Sequence, residues 1–245
     1  MYGSGKTAII TGSSRGIGSA IAMRLAKDGF AVVINYVKGH AEGDRLAEII
    51  TASGGRAIVV QADVSVMADV VRLFDEAEQA FGGVDVLVNN AGVSAIRPIA
   101  DSDDELYDRL FNINVRGTLN GLRQAAKRLR QGGRIINFSS TAVAVATPGM
   151  GIYLGSKAAV ETISRVFAKE LRGKDIRVNV IAPGLVRSEM FSEGKTEEQI
   201  RQMAGNSPLE RLGEIEEIAG AVAFLAGPDA SWTNGQILRV NGGVA

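Results

Sequence analysis

Short apolar runs alternate with stretches of helical periodicity along the whole chain of 245 residues. The runs are rich in Val and Ile, as in strands buried on both faces, and the stretches between them repeat apolar residues at helical spacing. This alternation predicts an α/β fold: a Rossmann-like, doubly wound parallel sheet of about seven strands with helices on both faces. Strands are predicted at residues 7–10, 31–36, 57–61, 84–89, 134–139, 176–182 and 237–240, and helices at 17–25, 44–52, 68–81, 103–129, 158–171 and 215–225.

The alternation continues without a Pro/Ser-rich linker, a low-complexity segment or an internal repeat, so we expect residues 1–245 to form a single domain. One stretch, residues 185–209, is irregular and rich in Glu, Lys, Gly and Ser. It is interpreted either as a mobile substrate lid or as a plain surface excursion.

The composition excludes several kinds of chemistry. Lys plus Arg and Asp plus Glu number 27 each, so no net charge favours nucleic acid or an anionic membrane as a partner. The chain has no cysteine and one histidine, His40, which excludes disulfides, thiol nucleophiles and Cys/His zinc sites, and we expect no metal. Acid–base chemistry must then come from Tyr, Lys, Asp or Glu. With no signal peptide and no apolar run long enough for a membrane span, we expect a cytoplasmic protein.

A glycine-rich turn follows the first predicted strand and precedes the first predicted helix. Gly12, Gly16 and Gly18 let the backbone turn tightly and approach a ligand where a Cβ would collide. The first amides of the helix have no partner within it. A strand, a glycine turn and a helix N-terminus in this order predict a pyrophosphate site of the kind that holds a dinucleotide.

The second predicted strand ends at Tyr36, and no acidic residue is expected at the corner that follows. A fold that prefers NAD usually places a carboxylate there, against the ribose hydroxyls. Arg15, inside the glycine turn, would lie near the same ribose, where a guanidinium suits a 2′-phosphate. The sequence therefore favours NADP, although Arg15 would also be ordinary as a solvated surface charge.

Two further segments follow predicted strands. Asp63 could accept a hydrogen bond from an adenine amino group, or it could be the N-cap of the helix that begins near Met67. The segment from Asn89 to Gly92 has small and amide residues where the chain would pass close to a ligand.

Tyr153 and Lys157 are four residues apart, which places the phenol and the ammonium on one face of a helix. An ammonium about 4 Å away could lower the pKa of a tyrosine from about 10 to about 7. Such a pair would exchange a proton with a substrate, or would be ordinary surface packing. Ser139 and Ser140 end the fifth predicted strand, where either hydroxyl could face the phenol or cap a turn.

In this order and at these separations, the motifs resemble the short-chain dehydrogenase/reductase family. The resemblance covers essentially the whole chain, including Pro183-Gly184 and the last residues from Gly235 to Gly243. It implies that Tyr153 is the general acid/base and that Lys157 lowers its pKa and holds the nicotinamide ribose.

The resemblance also assigns the remaining site residues. It selects Ser140 over Ser139 to orient the substrate carbonyl, and it implies that Asn114 anchors a water that relays protons to the lysine. The implied NADP(H) site comprises Gly12, Ser14, Arg15, Gly16, Ile17, Gly18, Tyr36, Asp63, Val64, Asn90, Ala91, Gly92, Tyr153, Lys157, Pro183, Gly184, Val186 and Ser188.

Within the family, the sequence is similar to 3-oxoacyl-[acyl-carrier-protein] reductases and related bacterial carbonyl reductases. Those enzymes present basic residues to an acidic carrier protein; Lys174 fits one such position, whereas Gln131 occupies the other beside Arg130. The substrate is then a 3-oxoacyl thioester or a free ketone. The resemblance further implies a homotetramer and an apolar pocket lined by Ala95, Ile96, Val143, Val145, Met150 and Met190.

Two hypotheses of function follow. The first is an NADPH-dependent reductase that converts a ketone or a 3-oxoacyl thioester to the secondary alcohol, with the proton supplied by Tyr153. The alternative is a non-catalytic dinucleotide-sensing or scaffold protein on the same fold. The intact set of Asn114, Ser140, Tyr153 and Lys157 favours the enzyme.

Overall fold

Seven parallel strands form one sheet in the computed structural model, which describes residues 1–188, 191, 194 and 196–245. The strands are β1 (Thr7–Ile10), β2 (Ala31–Tyr36), β3 (Arg56–Gln61), β4 (Val84–Asn89), β5 (Leu129–Phe138), β6 (Arg177–Pro183) and β7 (Ile237–Val240). Their order across the sheet is β3-β2-β1-β4-β5-β6-β7. The order reverses between β1 and β4, and the carboxyl ends of strands at such a switch point form a ligand crevice. The predicted doubly wound parallel sheet is confirmed.

Helices cover both faces of the sheet. They are α1 (Gly16–Lys27), α2 (His40–Ala52), α3 (Met67–Phe81), α4 (Asp104–Phe111), α5 (Gly117–Arg128), α6 (Ala142–Val145), α7 (Gly151–Glu170), α8 (Glu197–Ala204) and α9 (Ile215–Ala226). In the part of the chain that the structure describes, none of them is both long enough and apolar enough to cross a bilayer.

Strand β1 has an apolar core on each side because its side chains alternate between the two faces. Ala8 and Ile10 belong to one core, together with residues of α1, α2 and α9. Ile9 belongs to the other, together with residues of α3 and α5. All three side chains are fully buried. This two-sided burial explains why the strand is continuously apolar and why it lies near the middle of the sheet.

The long helix predicted at residues 103–129 is divided in the structure. Asp103 is the N-cap of α4, and its side chain accepts a hydrogen bond from the Leu106 N–H at 2.8 Å. A π-helical turn, Asn112–Arg116, then separates α4 from α5. Leu129 belongs to β5, which begins earlier than predicted and shifts its register against β4 between Val84 and Val86. A π turn keeps the helical direction, so the apolar periodicity that supported one helix does not reveal it.

Helix α2 begins earlier than predicted, at His40 rather than at residue 44. Helix α7 begins at Gly151, ahead of the apolar periodicity that starts at residue 158. Tyr153 and Lys157 therefore lie four residues apart at the start of one helix, as their spacing predicts.

The segment predicted to be a lid, residues 185–209, contains α8, which Thr196 and Gln199 begin with a reciprocal capping box. Val186 forms a β-bridge with Gly213, which holds the start of the segment to the chain that follows it. Residues 189, 190, 192, 193 and 195 lie outside the described part of the chain.

Candidate active site

The turn between β1 and α1 requires its glycines. The backbone angle φ is +62° at Gly12 and +58° at Gly16, a region that favours glycine. Gly18 lies inside α1, but a Cβ on it would be 2.4 Å from the Gly12 carbonyl oxygen. The start of α1 therefore packs directly on the turn, where its first amides can bind phosphate oxygens.

The end of β4 is hydrogen-bonded to this turn. The Asn90 side-chain amide donates to the carbonyl oxygens of Thr11 and Gly12, both at 2.9 Å. The Thr11 hydroxyl oxygen accepts from the backbone N–H groups of Asn90 at 3.1 Å and Ala91 at 3.0 Å. Two segments that the sequence assigned to the cofactor thus lie side by side at the switch point of the sheet.

Asn35 is a positioning residue that the sequence analysis did not identify. It is 1% exposed in β2, and its side-chain oxygen accepts from the Gly12 N–H at 3.0 Å. Its amide nitrogen donates to the carbonyl oxygens of Val60 at 3.2 Å and Ala62 at 3.0 Å. An asparagine within an otherwise apolar strand was the available signal, because a buried amide needs partners.

As predicted, no acidic residue directly follows β2, which ends at Tyr36 and continues through Val37 and Lys38. Arg15 is exposed and occupies the N-cap position of α1. Acidic side chains come only in the first turns of α2. There Asp44 Oδ2 lies 3.2 Å from His40 Nε2, and Glu42 Oε2 lies 3.0 Å from the position that a Cβ on Gly39 would take.

Asp63 is not the N-cap of α3, so that interpretation is wrong. The cap position belongs to Val66, and Asp63 Oδ1 accepts from the N–H and the hydroxyl of Ser65, at 2.8 and 2.7 Å. The Asp63 N–H donates to Asp69 at 2.8 Å. The next residue, Val64, is buried against α5, where a Cβ on Gly117 would be 2.6 Å from it. Contact of Asp63 with adenine stays a prediction.

Ser140, Tyr153 and Lys157 meet at the end of β5. The side chains of Ser140 and Tyr153 are hydrogen-bonded to each other. Lys157, one turn further along α7, is 5% exposed, and its ammonium donates to the Phe138 carbonyl oxygen at 3.0 Å. The three side chains lie at the same edge of the sheet as the glycine turn because parallel strands share one carboxyl edge.

Burial sets the protonation of this group. It raises the pKa of Tyr153, and the hydrogen bond with Ser140 opposes only part of that rise. Burial also lowers the pKa of Lys157 to about 8. The prediction that Lys157 lowers the pKa of Tyr153 is therefore wrong for this structure, in which the ammonium binds the Phe138 carbonyl. Tyr153 is a protonated phenol at neutral pH, which is the form that a proton donor needs.

Asn114 is fully buried in the π turn, where its side chain joins three elements. Its amide oxygen accepts from the Val93 N–H at 2.9 Å, and its amide nitrogen donates to the Val93 carbonyl oxygen at 2.9 Å and to Ser156 Oγ at 3.0 Å. Ser156 in turn donates to the Tyr153 carbonyl oxygen at 2.6 Å. The predicted water relay stays a prediction, but the amide clearly positions the first turn of α7.

Gly92 lies against the same group. A Cβ on Gly92 would be 3.1 Å from Asn114 Oδ1 and 3.2 Å from Lys157 Nζ. A side chain at residue 92 would crowd both polar groups, so glycine is the residue that fits beside the lysine ammonium.

Ser139 points away from the phenol. Its hydroxyl donates to Glu161 Oε1 on α7 at 2.7 Å, and the side chain is 5% exposed. Ser140 Oγ, besides its bond with Tyr153, accepts from the Ala142 N–H at 3.2 Å. The two serines therefore have different roles, and Glu161 and Ser156 are positioning residues that the sequence analysis missed. Both lie in α7 within one or two turns of Tyr153, which was the signal available for them.

The end of β6 lies beside the end of β5, at the edge of the sheet that carries the crevice. Thr141 donates its N–H to the Pro183 carbonyl oxygen at 2.9 Å, which ties this end to the serine strand. A Cβ on Gly184 would be 2.7 Å from the Asn241 Cα, so β7 packs closely there. Val186 is buried, and Ser188 Oγ accepts from the Phe191 N–H at 3.2 Å. These predicted cofactor residues lie at the same edge as Tyr153.

An apolar rim surrounds the Ser140–Tyr153 pair. It comes from two segments, residues 95–99 and 142–151, which the Arg97 N–H joins to the Gly149 carbonyl at 2.6 Å. Ile96 is 75% exposed and Val145 49%, an unusual exposure for aliphatic side chains that is typical of a binding surface. Among the predicted pocket residues Ala95, Val143 and Met150 are half-buried, and Met190 lies outside the described residues. Among the described residues, no group of three or more His, Asp or Glu side chains could hold a metal ion.

A doubly wound sheet with a glycine turn suited to phosphate, and with a half-buried tyrosine beside a buried lysine at the same edge, defines a dinucleotide-dependent oxidoreductase. A family model described as enoyl-(acyl carrier protein) reductase matches residues 12–245. A short-chain type dehydrogenase/reductase of Picea abies is 46% identical, and the match covers 98% of this chain and 92% of that protein. The chain belongs to the short-chain dehydrogenase/reductase family.

Two other similar proteins have names that mention a cofactor. An Arabidopsis thaliana protein named NADPH-dependent aldehyde reductase-like protein, chloroplastic, is 46% identical, and the match covers 98% of this chain and 94% of that protein. The crystal structure of a blue fluorescent protein from a metagenomic library in complex with NADPH superimposes with a TM-score of 0.95 at 37% identity, over 100% of both chains.

Proposed function

We propose that this protein is an NADPH-dependent carbonyl reductase that converts a ketone, or another small carbonyl compound, to an alcohol. One observation carries the proposal: a half-buried, protonated Tyr153 is hydrogen-bonded to Ser140 at the sheet edge that also holds the glycine turn and the buried Lys157. The relatives named for NADPH and for aldehyde reduction support the same cofactor and the same class of substrate.

The residues present fit NADP(H). The backbone of Gly12, Gly16 and Gly18 leaves the α1 N-terminus accessible to a pyrophosphate, and Arg15 is an exposed cation beside it. Gly92 leaves Lys157 accessible on the side that faces the turn. Lys157 would hold the nicotinamide ribose and Arg15 the 2′-phosphate. The cofactor, when bound, would supply the hydride.

Within this site the chain's own residues handle the proton and the developing charge. The Tyr153 phenol donates its proton to the carbonyl oxygen of the substrate, and the Ser140 hydroxyl stabilises the negative charge on that oxygen. The amide of Asn114, through Ser156, fixes the backbone of Tyr153. The exposed aliphatic side chains of Ile96 and Val145 would contact the apolar part of the substrate.

A free ketone is favoured over a carrier-bound 3-oxoacyl thioester. The Lys174 ammonium donates to the Ala126 carbonyl oxygen at 2.7 Å, and Arg130 pairs with Asp85 at 3.2 Å. Lys174 precedes β6 and Arg130 lies in the first residues of β5, so both belong to the edge of the sheet opposite Tyr153. Both cations already have hydrogen-bond or ion-pair partners, and both lie at the sheet edge opposite Tyr153. This supports a small substrate rather than an acidic carrier protein.

The proposal is tested by NADPH oxidation, followed by absorbance, with a panel of ketones and aldehydes and with a 3-oxoacyl carrier-protein thioester. We expect turnover of small carbonyl compounds, and loss of turnover in Tyr153→Phe by a factor of about 10²–10⁴. Absence of turnover with every compound, or an active Tyr153→Phe variant, would refute the proposed chemistry. Preference for the thioester would refute the choice of substrate.

We also propose three features that the sequence predicts: a single catalytic domain with a substrate lid at residues 185–209, a homotetramer and a cytoplasmic location. Leu209, at the end of the lid segment, is 60% exposed, which supports contact with a substrate or a neighbouring subunit. Limited proteolysis with and without NADPH tests the lid, and sedimentation tests the assembly.

A further inference from the structure

His40, the only histidine in the chain, lies just after β2 and has no role in the chemistry above. Its ring stacks on Tyr36, with the ring centroids 5.5 Å apart. Its Nδ1 lies 2.9 Å from the Tyr36 hydroxyl oxygen, and its Nε2 lies 3.2 Å from Asp44 Oδ2. The three side chains form a continuous hydrogen-bonded series, called here the Tyr36–His40–Asp44 chain.

The Tyr36–His40–Asp44 chain adjoins the glycine turn. Gly39 has a φ of +94°, and a Cβ on it would lie 3.4 Å from Ser14 Oγ. Ser14 directly precedes Arg15, the cation expected to bind the 2′-phosphate. In dinucleotide-binding folds the end of the second strand reads the adenosine ribose and its 2′ substituent. The Tyr36–His40–Asp44 chain therefore occupies the corner where NADP differs from NAD.

The carboxylate fixes the direction of the hydrogen bonds. Because Nε2 faces Asp44, the proton of a neutral His40 imidazole is on Nε2, and Nδ1 accepts from the Tyr36 hydroxyl. In this state the Tyr36 proton is held by His40. A proton added to Nδ1 reverses the bond: Nδ1–H donates to the Tyr36 oxygen, and the hydroxyl proton is released to donate elsewhere.

We propose that the Tyr36–His40–Asp44 chain recognises the 2′-phosphate of NADP(H) by taking up one proton from solvent when the phosphate binds. The only bond formed is N–H on His40 Nδ1, and the Tyr36 hydroxyl then donates to a phosphate oxygen. The imidazolium so formed lies between the phosphate dianion and Asp44. This inference rests on the proposed use of NADP(H).

The charges around His40 are compatible with this exchange. The charged side chains at this corner are Asp44 and Glu42 of α2, Arg15 of the glycine turn and Lys38 after β2, so both signs of charge are present. The His40 side chain is 70% exposed, so solvent can supply the proton. Histidine is also the side chain whose charge ordinarily changes between pH 5 and 8.

The experiment is calorimetric titration of NADP⁺ and NAD⁺ into the whole protein without carbonyl substrate, in two buffers of different ionisation enthalpy near pH 7.5. At that pH the 2′-phosphate, whose second pKa is about 6, is already a dianion and takes up no proton. We expect net proton uptake, up to one per NADP⁺ bound, and none for NAD⁺. His40→Gln should abolish the uptake and raise the Kd for NADP⁺ roughly tenfold without changing the Kd for NAD⁺.

Two variants complete the test. Tyr36→Phe should raise the Kd for NADP⁺ as His40→Gln does, and Glu48→Gln, an exposed acid one turn beyond Asp44, should change nothing. Unchanged proton uptake or an unchanged Kd for NADP⁺ in His40→Gln would overturn the inference while leaving the reductase proposal intact. Proton uptake on binding of NADP⁺ without turnover of any carbonyl compound would support this inference and refute the reductase proposal.

Discussion

The side-chain amide of Asn114 donates to Ser156 Oγ at 3.0 Å, and through that hydroxyl it holds the backbone of Tyr153. The π turn of the helix between β4 and β5 is thereby joined to the first turn of α7. A π turn inserted into a helix is often found at a functional site, and here it directs the buried amide toward the tyrosine helix. The position of the phenol thus depends on a hydrogen bond made by a buried amide on a different helix.

Ser156→Ala should reduce kcat while leaving the Kd for NADPH unchanged, because it frees the Tyr153 backbone without touching the glycine turn. Asn114 would keep only its Val93 partners, and loss of a buried hydrogen bond should lower the free energy of unfolding by about 1–3 kcal/mol. Steady-state kinetics and chemical unfolding measure the two effects. Thr162→Ala, on the exposed side of the same helix, is the matched control; equal effects from both variants would contradict the assignment.

Asn35→Ala should weaken NADPH binding roughly tenfold, because the Gly12 N–H loses its acceptor and the glycine turn is no longer fixed. The variant will also be less stable. Asn179→Ala is therefore the comparison: Asn179 is an equally buried amide whose partners, the Thr233 carbonyl and the Gln236 N–H, are remote from the turn. If both variants lose stability but only the first loses affinity in a fluorescence titration, Asn35 acts through the turn.

Gly18→Ala should abolish NADPH binding or folding, because the added Cβ would meet the Gly12 carbonyl oxygen at 2.4 Å. Gly155→Ala, at an exposed position of α7, places its Cβ in open space. That control should stabilise the protein by about 0.5–1 kcal/mol, since alanine has the higher helix propensity. Thermal unfolding and cofactor titration distinguish the two; tolerance of alanine at residue 18 would show that the turn is less tightly packed than described.

Burial of the Lys157 ammonium should lower the free energy of unfolding of the protein. Its pKa falls from 10.5 to about 8 on burial, so between those values the unfolded chain holds a proton that the folded protein has released. Stability therefore rises with pH across this window, and below pH 8 the folded protein bears the full cost of a buried charge.

We expect Lys157→Met to be inactive. At pH 7 its free energy of unfolding should nevertheless exceed that of the wild type by about 1–3 kcal/mol, a value that already includes the loss of the hydrogen bond to the Phe138 carbonyl. The difference should shrink between pH 8 and 10.5. Unfolding curves at several pH values measure it, and a constant difference would mean that the lysine is not titrating as described.

The strands and the sheet could be predicted because every buried strand carries its own apolar run, as at residues 31–36. The ends of the helices were harder to predict from the sequence. The apolar periodicity of α7 begins only at residue 158 because Gly151 and Gly155 weaken the signal ahead of it, and only the spacing of Tyr153 and Lys157 indicated the first turns of this helix. Helix α2 was placed late because Gly39 and His40 are poor helix formers.

The site residues were named by motif, but their energetics depend on the folded surroundings. The sign of the pKa shift of Tyr153 depends on burial, which spacing alone does not reveal. Likewise Asp63 resembles a helix cap in the sequence, yet its carboxylate turns back on Ser65 two residues away. Asn35, Ser156 and Glu161 have partners that are distant in sequence or on another element, so the local signals that single them out do not reveal what they bind.

Strand β1 is enclosed by helices on both sides, and the glycine turn leaves directly from its last residue. Backbone amides in such a strand exchange with deuterium only when the whole molecule opens. The glycine turn therefore follows directly on a segment whose backbone amides should be among the last to exchange. Heating should accordingly destroy cofactor affinity and tertiary structure at the same temperature, with no intermediate stage in which the sheet survives but the nucleotide is lost.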